Sequence, residues 1–351
     1  MNLPESAAPE YRRDPVTGRW ILFATERAYR PQQSVSGNEL DATNCPFCLG
    51  HERETPLEVY ADRECGPPNG PGWSVRVVPN RYPAVRALEE AKQAAANDDA
   101  AWFARQPGAG RHEIVIECPE HRWSFTERSD EHVGRVFEVY QRRMRVLREA
   151  PSVRYVMVFK NAGERAGASQ EHSHSQILAT AEVPPVVSEE MANALTYWKE
   201  RGRGFFADLL AEELRQGVRI ADESEHFVAF CPFASRFPCE VWVFPKSACS
   251  RFEEHPVREM REFGGFVKGL LIRLEGLLPS PAYNYFIHSA PFDGNSHAYY
   301  HWHLEITPRV VGLAGFELGG GMYINPIPPE WAARQYREAR QRNEPGTRHP
   351  D

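Results

Sequence analysis

The stretch that decides the fold is residues 155–179, which read YVMVFKNAGERAGASQEHSHSQILA. Apolar strand patterns at both ends enclose a loop rich in glycine and histidine. Because side chains alternate along a strand, His172 and His174 point to the same side of the backbone, with a small residue between them. Small residues upstream, among them Gly167 and Ser169, let backbone and hydroxyl donors approach phosphate oxygens closely. The pattern predicts an imidazole that faces a phosphate group.

The composition is typical of a soluble globular protein. The chain has 351 residues, of which 42% are hydrophobic and 25% are charged, and its formal net charge is −7. This acidic total argues against nucleic-acid binding, and no apolar run approaches the roughly 18 residues that a membrane span needs. Seven cysteines with one close pair favour a reducing compartment over a disulfide framework. We therefore expect a cytoplasmic protein.

The sequence contains an internal repeat. A shift of 127 residues places the strand pattern 113–117 on 240–244 and the histidine loop 172–176 on 299–303. Between them, apolar residues recur at helical spacing in both copies. These residues are Val133, Val136, Phe137, Tyr140, Met144 and Leu147 in the first copy, and Met260, Phe263, Val267, Leu271 and Leu274 in the second, with Gly264 as the exception.

Each copy thus has the order strand, helix, strand, histidine loop, strand. This order predicts an α+β fold of two tandem halves, 1–187 and 188–351, each a mostly antiparallel sheet with a helix packed on it. The strand patterns at 19–23 and 75–78 are expected to extend the first sheet.

A metal site is predicted around the same histidine loop. Cys45 and Cys48 form a C-x-x-C, the spacing with which two thiolates bind one tetrahedral zinc ion. His121 and His172 are the candidates to complete the site, which would tie the N-terminal segment to the loop. Thiol redox chemistry and unliganded cysteines are the alternatives, although the thioredoxin-like setting of a redox C-x-x-C is missing.

With these residues in view, the chain resembles the galactose-1-phosphate uridylyltransferase family of the histidine-triad superfamily, whose members consist of two such halves. The resemblance covers nearly the whole chain. The matching segments are 14–20, 27–31, 45–48, 75–80, 161–176, 301–305, 314–317 and 323–326.

The resemblance implies a covalent mechanism. His174 would attack the α-phosphorus of a nucleotide sugar and carry the nucleotidyl group, with the backbone carbonyl of His172 fixing its tautomer. Gln176 would donate to a phosphoryl oxygen. Asn161, Ser169 and backbone amides near Gly167 would hold the diphosphate.

Other roles carry over position by position. The implied partners are a nucleotide sugar and a sugar 1-phosphate, and the implied assembly is a homodimer. Arg27 and Arg30 match residues near the nucleotide phosphates. Asn80 and Tyr82 match a segment that lines the base and ribose. Phe316 and Glu317 match a block that reaches the sugar across the dimer interface.

Two departures from the family pattern concern the second metal and the base. A second C-x-x-C is replaced by Phe205-Phe-Ala-Asp208, and the acidic residue after Asn80 is replaced by Arg81. A family variant that binds metal with a glutamate and three histidines implies a different second site. Its ligands here would be Glu190, His288, His301 and His303.

Four functions are compatible with these residues. The first is a UDP-glucose–hexose-1-phosphate uridylyltransferase of galactose metabolism. The second is an ADP-glucose phosphorylase, because a relative with that activity shares the sequence His-Ser-His-Ser-Gln. The third is a histidine-triad hydrolase, although Gln176 is typical of transferases and a histidine there accompanies hydrolysis. The fourth, a zinc-stabilised nucleotide-binding protein, would not need His174.

Overall fold

The computed structural model describes residues 8–13, 20–24, 45–94, 102–121, 124–278 and 282–343. Arg27 and Arg30, two of the predicted substrate-binding residues, lie outside the described residues. No helix in the described ranges is long and apolar enough to cross a membrane.

The described residues form thirteen strands. In chain order they are β1 (Glu10–Arg13), β2 (Trp20–Phe23), β3 (Tyr60–Arg63), β4 (Trp73–Pro79), β5 (Arg105–Pro107), β6 (Gly110–Ile116), β7 (Tyr155–Ala162), β8 (His174–Thr180), β9 (Ile220–Glu223), β10 (Phe227–Phe230), β11 (Val241–Pro245), β12 (Tyr283–His288) and β13 (His303–Pro308).

Seven α-helices accompany them in the same ranges. They are α1 (Leu88–Ala94), α2 (Asp130–Leu147), α3 (Pro185–Arg201), α4 (Phe205–Gln216), α5 (Met260–Leu277), α6 (Gly315–Gly320) and α7 (Pro329–Asn343).

Ten strands form one antiparallel sheet whose order mirrors the sequence repeat. The order is β3-β4-β6-β8-β7-β12-β13-β11-β10-β9, so the strands related by the repeat, β6 and β11, β8 and β13, and β7 and β12, occupy mirrored positions. At the centre, β7 pairs with β12, and Phe159 lies directly opposite Phe286. These two residues are separated by the repeat offset itself, so a pseudo-twofold axis passes between them. The predicted α+β fold of two similar halves is confirmed.

Helices α2 and α5 pack together on one face of this sheet. Ser129 caps the start of α2 by accepting a hydrogen bond from the His132 amide, and acidic residues follow in the first turn. All eleven apolar residues predicted to line the two helices are buried, with exposures of 0 to 4%. Both helices contribute to one hydrophobic core, which the two halves share.

One strand differs from the sequence-based description. Strand β2 does not extend the first sheet but pairs with β1, which also pairs with β5 in a separate three-stranded sheet. A strand of four apolar residues cannot indicate which sheet it joins, because pairing depends on distant segments. Helix α3 runs across the predicted boundary between residues 187 and 188, and that boundary stays a prediction.

Candidate active site and metal centres

The histidine loop enters the sheet at the start of β8, between β6 and β7. In the β6–β8 register, His174 lies opposite Ile116 and Gln176 lies opposite Ile114. His174 is 5% exposed and Gln176 is 3% exposed. Since they are two residues apart, both side chains project from the same face of β8.

The His174 ring has a defined orientation. Its Nδ1 lies 2.8 Å from the backbone carbonyl oxygen of His172. A carbonyl can only accept, so Nδ1 carries the proton and Nε2 keeps its lone pair. This is the tautomer in which the ring can attack through Nε2.

His174 lines a cavity together with several of the predicted substrate-binding residues. Its described lining consists of Pro46, Phe47, Glu54, Thr55, Pro56, Val78, Pro79, Asn80, Arg81, Tyr82, Ile114, Ser169, Gln170 and His174. Asn80, Tyr82 and Ser169 therefore come together with His174 although they are distant in sequence. The side chain of Asn80 accepts a hydrogen bond from the Tyr82 amide at 2.9 Å, which fixes the turn between them.

Four other predicted binding residues, all within the described ranges, do not line this cavity. Asn161 on β7 accepts a hydrogen bond from Asn284 at 2.8 Å. Gly167 has a positive φ of 81° and ends a short turn of 3-10 helix, a conformation that glycine adopts without steric cost. Phe316 and Glu317 lie on α6, where Glu317 caps the helix through the Ala314 amide at 3.0 Å.

The four predicted metal ligands form a compact cluster. One ligand atom from each of Cys45, Cys48, His121 and His172 lies within 4.8 Å of the others. The Cys48 sulfur is 3.3 Å from Nδ1 of His121 and 3.6 Å from Nδ1 of His172. A Cys₂His₂ set at this spacing fits a tetrahedral zinc ion.

The hydrogen bond that orients His172 supports this assignment, whereas burial by itself favours neutral thiols. Burial raises the pKa of the Cys48 thiol to about 12 and lowers the pKa of His172 to about 4. A bound cation would supply the positive charge that favours the thiolates. The other ring nitrogen of His172 donates to the Cys118 carbonyl at 2.7 Å, which is the usual support of a histidine that binds metal.

Sequence reasoning missed Phe47, which lies between the two cysteines. Its ring centroid is 5.5 Å from that of His174, and it lines the same cavity. The metal loop therefore also provides an apolar wall beside the candidate nucleophile. The position of Phe47 inside the C-x-x-C motif is the sequence feature that could have indicated this role.

A buried ion pair below the histidine loop was also missed. Lys160 on β7 donates to Glu117 at 2.5 Å and to the His174 carbonyl at 3.1 Å, and Ser173 donates to the same carboxylate at 2.5 Å. Burial would raise the pKa of Glu117, but the charge of Lys160 and the hydrogen bonds from Lys160, Ser173 and Ser175 together outweigh it and lower that pKa. Each of these polar groups therefore has a partner, and the network holds the backbone of the loop in place.

A second ligand cluster lies in the C-terminal half, and it differs from the predicted one at one residue. Glu190, His288, His303 and Glu305 offer ligand atoms within 4.8 Å of one another. The predicted ligand His301 is not among them, because its Nε2 donates to the Ser247 carbonyl at 3.1 Å. Glu305 shares a face of β13 with His303 and takes its place.

Two carboxylates and two imidazoles fit a divalent transition metal ion. Nε2 of His303 and Oε1 of Glu305 are buried 3.4 Å apart, and neither makes a hydrogen bond within the described ranges. Burial would raise the pKa of Glu305, but His303, His288 and Arg236 outweigh it and lower that pKa to about 2. The Arg236 guanidinium is ion-paired with this carboxylate and therefore competes with a metal ion for it.

With the fold and both clusters established, comparison with known proteins assigns the class. Two family models match, the N-terminal domain of galactose-1-phosphate uridyl transferase over residues 2–184 and its C-terminal domain over residues 190–317. The chain belongs to the galactose-1-phosphate uridyl transferase family, and the resemblance stated from the sequence is confirmed. It is an enzyme of this nucleotidyltransferase type.

Individual relatives carry two different names. The chain is 36% identical over 340 residues to the ADP-glucose phosphorylase of Arabidopsis thaliana. This match covers 95% of this chain and 94% of that protein. It is 28% identical over 338 residues to the galactose-1-phosphate uridylyltransferase of Thermotoga maritima, with 94% and 98% covered. A crystal structure of the Arabidopsis ADP-glucose phosphorylase with bound ADP-glucose superposes with a TM-score of 0.73 at 35% identity, covering 94% of this chain and 99% of that one.

Proposed function

We propose that the chain transfers a nucleoside monophosphate group from a nucleotide sugar to a phosphate acceptor, with His174 as the covalent carrier. The observation that carries this proposal is the hydrogen bond from Nδ1 of His174 to the His172 carbonyl at the wall of the cavity. It directs the ring proton to Nδ1, so in the neutral ring the lone pair of Nε2 is available to attack.

The transfer takes place in two displacements. Nε2 of His174 forms a bond to the α-phosphorus while the bond from that phosphorus to the sugar phosphate oxygen breaks, and the sugar 1-phosphate leaves with the electron pair. An acceptor phosphate oxygen then attacks the same phosphorus and releases the imidazole. Gln176 donates to a phosphoryl oxygen as charge develops, and Ser169 with neighbouring amides holds the diphosphate.

Zinc is the proposed occupant of the Cys45, Cys48, His121 and His172 site, where it would supply a rigid cross-link. Because the carbonyl that orients His174 belongs to the ligand His172, the cross-link also supports the nucleophile. A divalent metal at Glu190, His288, His303 and Glu305 is the second proposed site.

The first candidate reaction is UDP-glucose–hexose-1-phosphate uridylyl transfer, supported by the family match and by the Thermotoga relative. The second is phosphorolysis of ADP-glucose, supported by the 36% identity with the Arabidopsis protein. Ser173 favours the second candidate, because the motif of uridylyltransferases has a proline between the histidines. A proline there would lack the hydroxyl that donates to Glu117.

We also propose that the protein is a cytoplasmic homodimer.

The test is to incubate the protein with UDP-glucose or ADP-glucose labelled at the α-phosphate and to denature it before a second substrate is added. We expect label to remain on the wild-type protein, and the base of the labelling donor to identify the reaction. His174→Asn should retain no label, whereas the surface variant His226→Asn should be labelled like the wild type. Absence of label from both donors, or label that persists in His174→Asn, would contradict the proposal.

A further inference from the structure

His112 is a buried histidine on the same face of the sheet as His174 and Gln176. It lies on β6 opposite Leu178 and is 5% exposed. Gln176 is the diagonal neighbour on β8, within reach of a long side chain across an antiparallel pair. His112 lies outside the segments that match the family pattern.

Three contacts of His112 connect the cavity loop with Gln176. Its backbone carbonyl accepts a hydrogen bond from the Asn80 amide at 2.8 Å, and its ring Nδ1 accepts one from the Ala84 amide at 3.0 Å. Its ring Nε2 lies 2.9 Å from Oε1 of Gln176. One residue thus holds both ends of the 80–84 turn and the side chain of Gln176.

The Ala84 amide determines which ring nitrogen carries the proton. A backbone N–H can only donate, so Nδ1 must present its lone pair, and in the neutral ring the proton then resides on Nε2. Nε2–H donates to Gln176, which makes Oε1 the amide atom facing His112. The amide nitrogen of Gln176 is then the end left to donate elsewhere.

Asn80 approaches the same ring nitrogen but does not change this assignment. Its Nδ2 lies 3.2 Å from Nε2 of His112, while its Oδ1 is held by the Tyr82 amide. Both Nδ2 and the protonated Nε2 are donors, so no hydrogen bond forms between them. Gln176 Oε1 is the acceptor for the ring proton.

We propose that His112 is a positioning residue that orients the Gln176 amide so that its NH₂ group donates to the phosphoryl oxygen during nucleotidyl transfer. The inference rests on the proposed function and deepens it. An amide that can rotate by half a turn presents oxygen or nitrogen with similar ease, and an oxygen facing a phosphoryl oxygen repels it. The hydrogen bond from His112 to Oε1 excludes the orientation in which this oxygen faces the phosphoryl group, before the substrate binds.

Two substitutions separate the two ends of the His112 ring. His112→Asn can place its oxygen near the position of Nδ1 and still accept from Ala84, but it cannot reach Gln176. His112→Gln can place its NH₂ near the position of Nε2 and donate to Gln176, but it loses the acceptor for Ala84. We expect His112→Asn to lower kcat about 10- to 100-fold with little change in KM, as for other residues that support a functional group. We expect His112→Gln to keep kcat within about threefold while KM rises.

A double-mutant cycle shows whether His112 acts through Gln176. Gln176→Ala alone should lower kcat about 10²- to 10³-fold, the usual effect of losing one transition-state donor. Adding His112→Asn to Gln176→Ala should change kcat less than about twofold, since the orienting group then has nothing to orient. An equal loss with and without Gln176, or equal kcat values for His112→Asn and His112→Gln, would overturn the inference.

The rate of label transfer to His174 keeps this inference distinct from the proposed function. In a single turnover with labelled donor, His112→Asn should be labelled more slowly than the wild type by the same factor as kcat. If the wild type acquires no label, the proposed function fails. If the wild type and His112→Asn acquire label at the same rate, the proposed function stands and only the role of His112 fails.

Discussion

At the scale of single residues, His172 has two roles, one for its ring and one for its backbone carbonyl. Its ring faces Cys45 and Cys48 with Nδ1 and donates to the Cys118 carbonyl with the other nitrogen. Its own carbonyl accepts a hydrogen bond from Nδ1–H of His174. A change at the metal cluster therefore reaches the nucleophile through one peptide unit.

Removal of one metal ligand tests this connection. Cys48→Ser should reduce bound zinc by about one ion per chain relative to the wild type, because serine is a poor ligand compared with a thiolate. It should also lower the melting temperature and slow the labelling of His174. Elemental analysis of the purified protein and a thermal melt give these quantities.

The matched control is Cys65→Ser, since Cys65 is exposed and lies outside the cluster. Its zinc content and melting temperature should equal those of the wild type. Full zinc occupancy in Cys48→Ser would show that Cys48 is not a ligand.

At the scale of elements, a close crossing of two glycines joins the halves. A Cβ atom built on Gly264 of α5 would lie 2.4 Å from the backbone nitrogen of Gly134 on α2. The apolar repeat has its single exception at Gly264 for this reason, since a large side chain would force the helices apart. The two helices can therefore share one core.

Gly264→Ala should destabilise the fold because the helices would have to separate. We expect the free energy of unfolding to fall by about 1–3 kcal/mol, the usual range for overpacking a core. Gly269→Ala is the control on the same helix, where the nearest atom is an Arg273 side-chain nitrogen at 3.6 Å. Alanine there should be neutral or add about 0.5–1 kcal/mol. Urea denaturation of both variants measures the difference, and equal stabilities would contradict the close-packing argument.

At the scale of the whole molecule, the ten-stranded sheet is continuous through β7 and β12, so each half supplies part of the other's core. The segment 310–324 contrasts with this packing, since it carries many large apolar side chains at the surface. Those exposed by 37 to 73% are Val310, Val311, Leu313, Phe316, Leu318, Met322, Tyr323 and Ile324. An apolar segment of this extent is typical of an interaction surface, and the proposed dimer would cover it.

Leu318→Glu should convert the proposed dimer into a monomer, because Leu318 is 73% exposed in this segment and a buried, unpaired carboxylate is costly. Light scattering after size-exclusion chromatography measures the mass. Val146→Glu, at a 51% exposed position on α2, is the control and should stay dimeric. A monomeric wild type would rule out the dimer.

Much of the site could be predicted because its signals are short-range. The spacing of His172 and His174 limits how their side chains can lie relative to each other, and the same holds for Cys45 and Cys48. This limit does not depend on the rest of the fold. Helical periodicity indicated the buried faces of α2 and α5 in the same way. The repeat then established that the two halves resemble each other.

By itself, the sequence determined the fold class and the family, and it predicted the tautomer of His174 and the four residues of the Cys₂His₂ cluster. Only the tertiary structure decided that Glu305 rather than His301 joins the second cluster, that β2 joins another sheet, and that His112 holds Gln176. The physical reason is that these contacts join residues from different elements. These contacts depend on strand register, on the packing of distant segments and on competing hydrogen-bond partners. The local spacing of residues determines none of these.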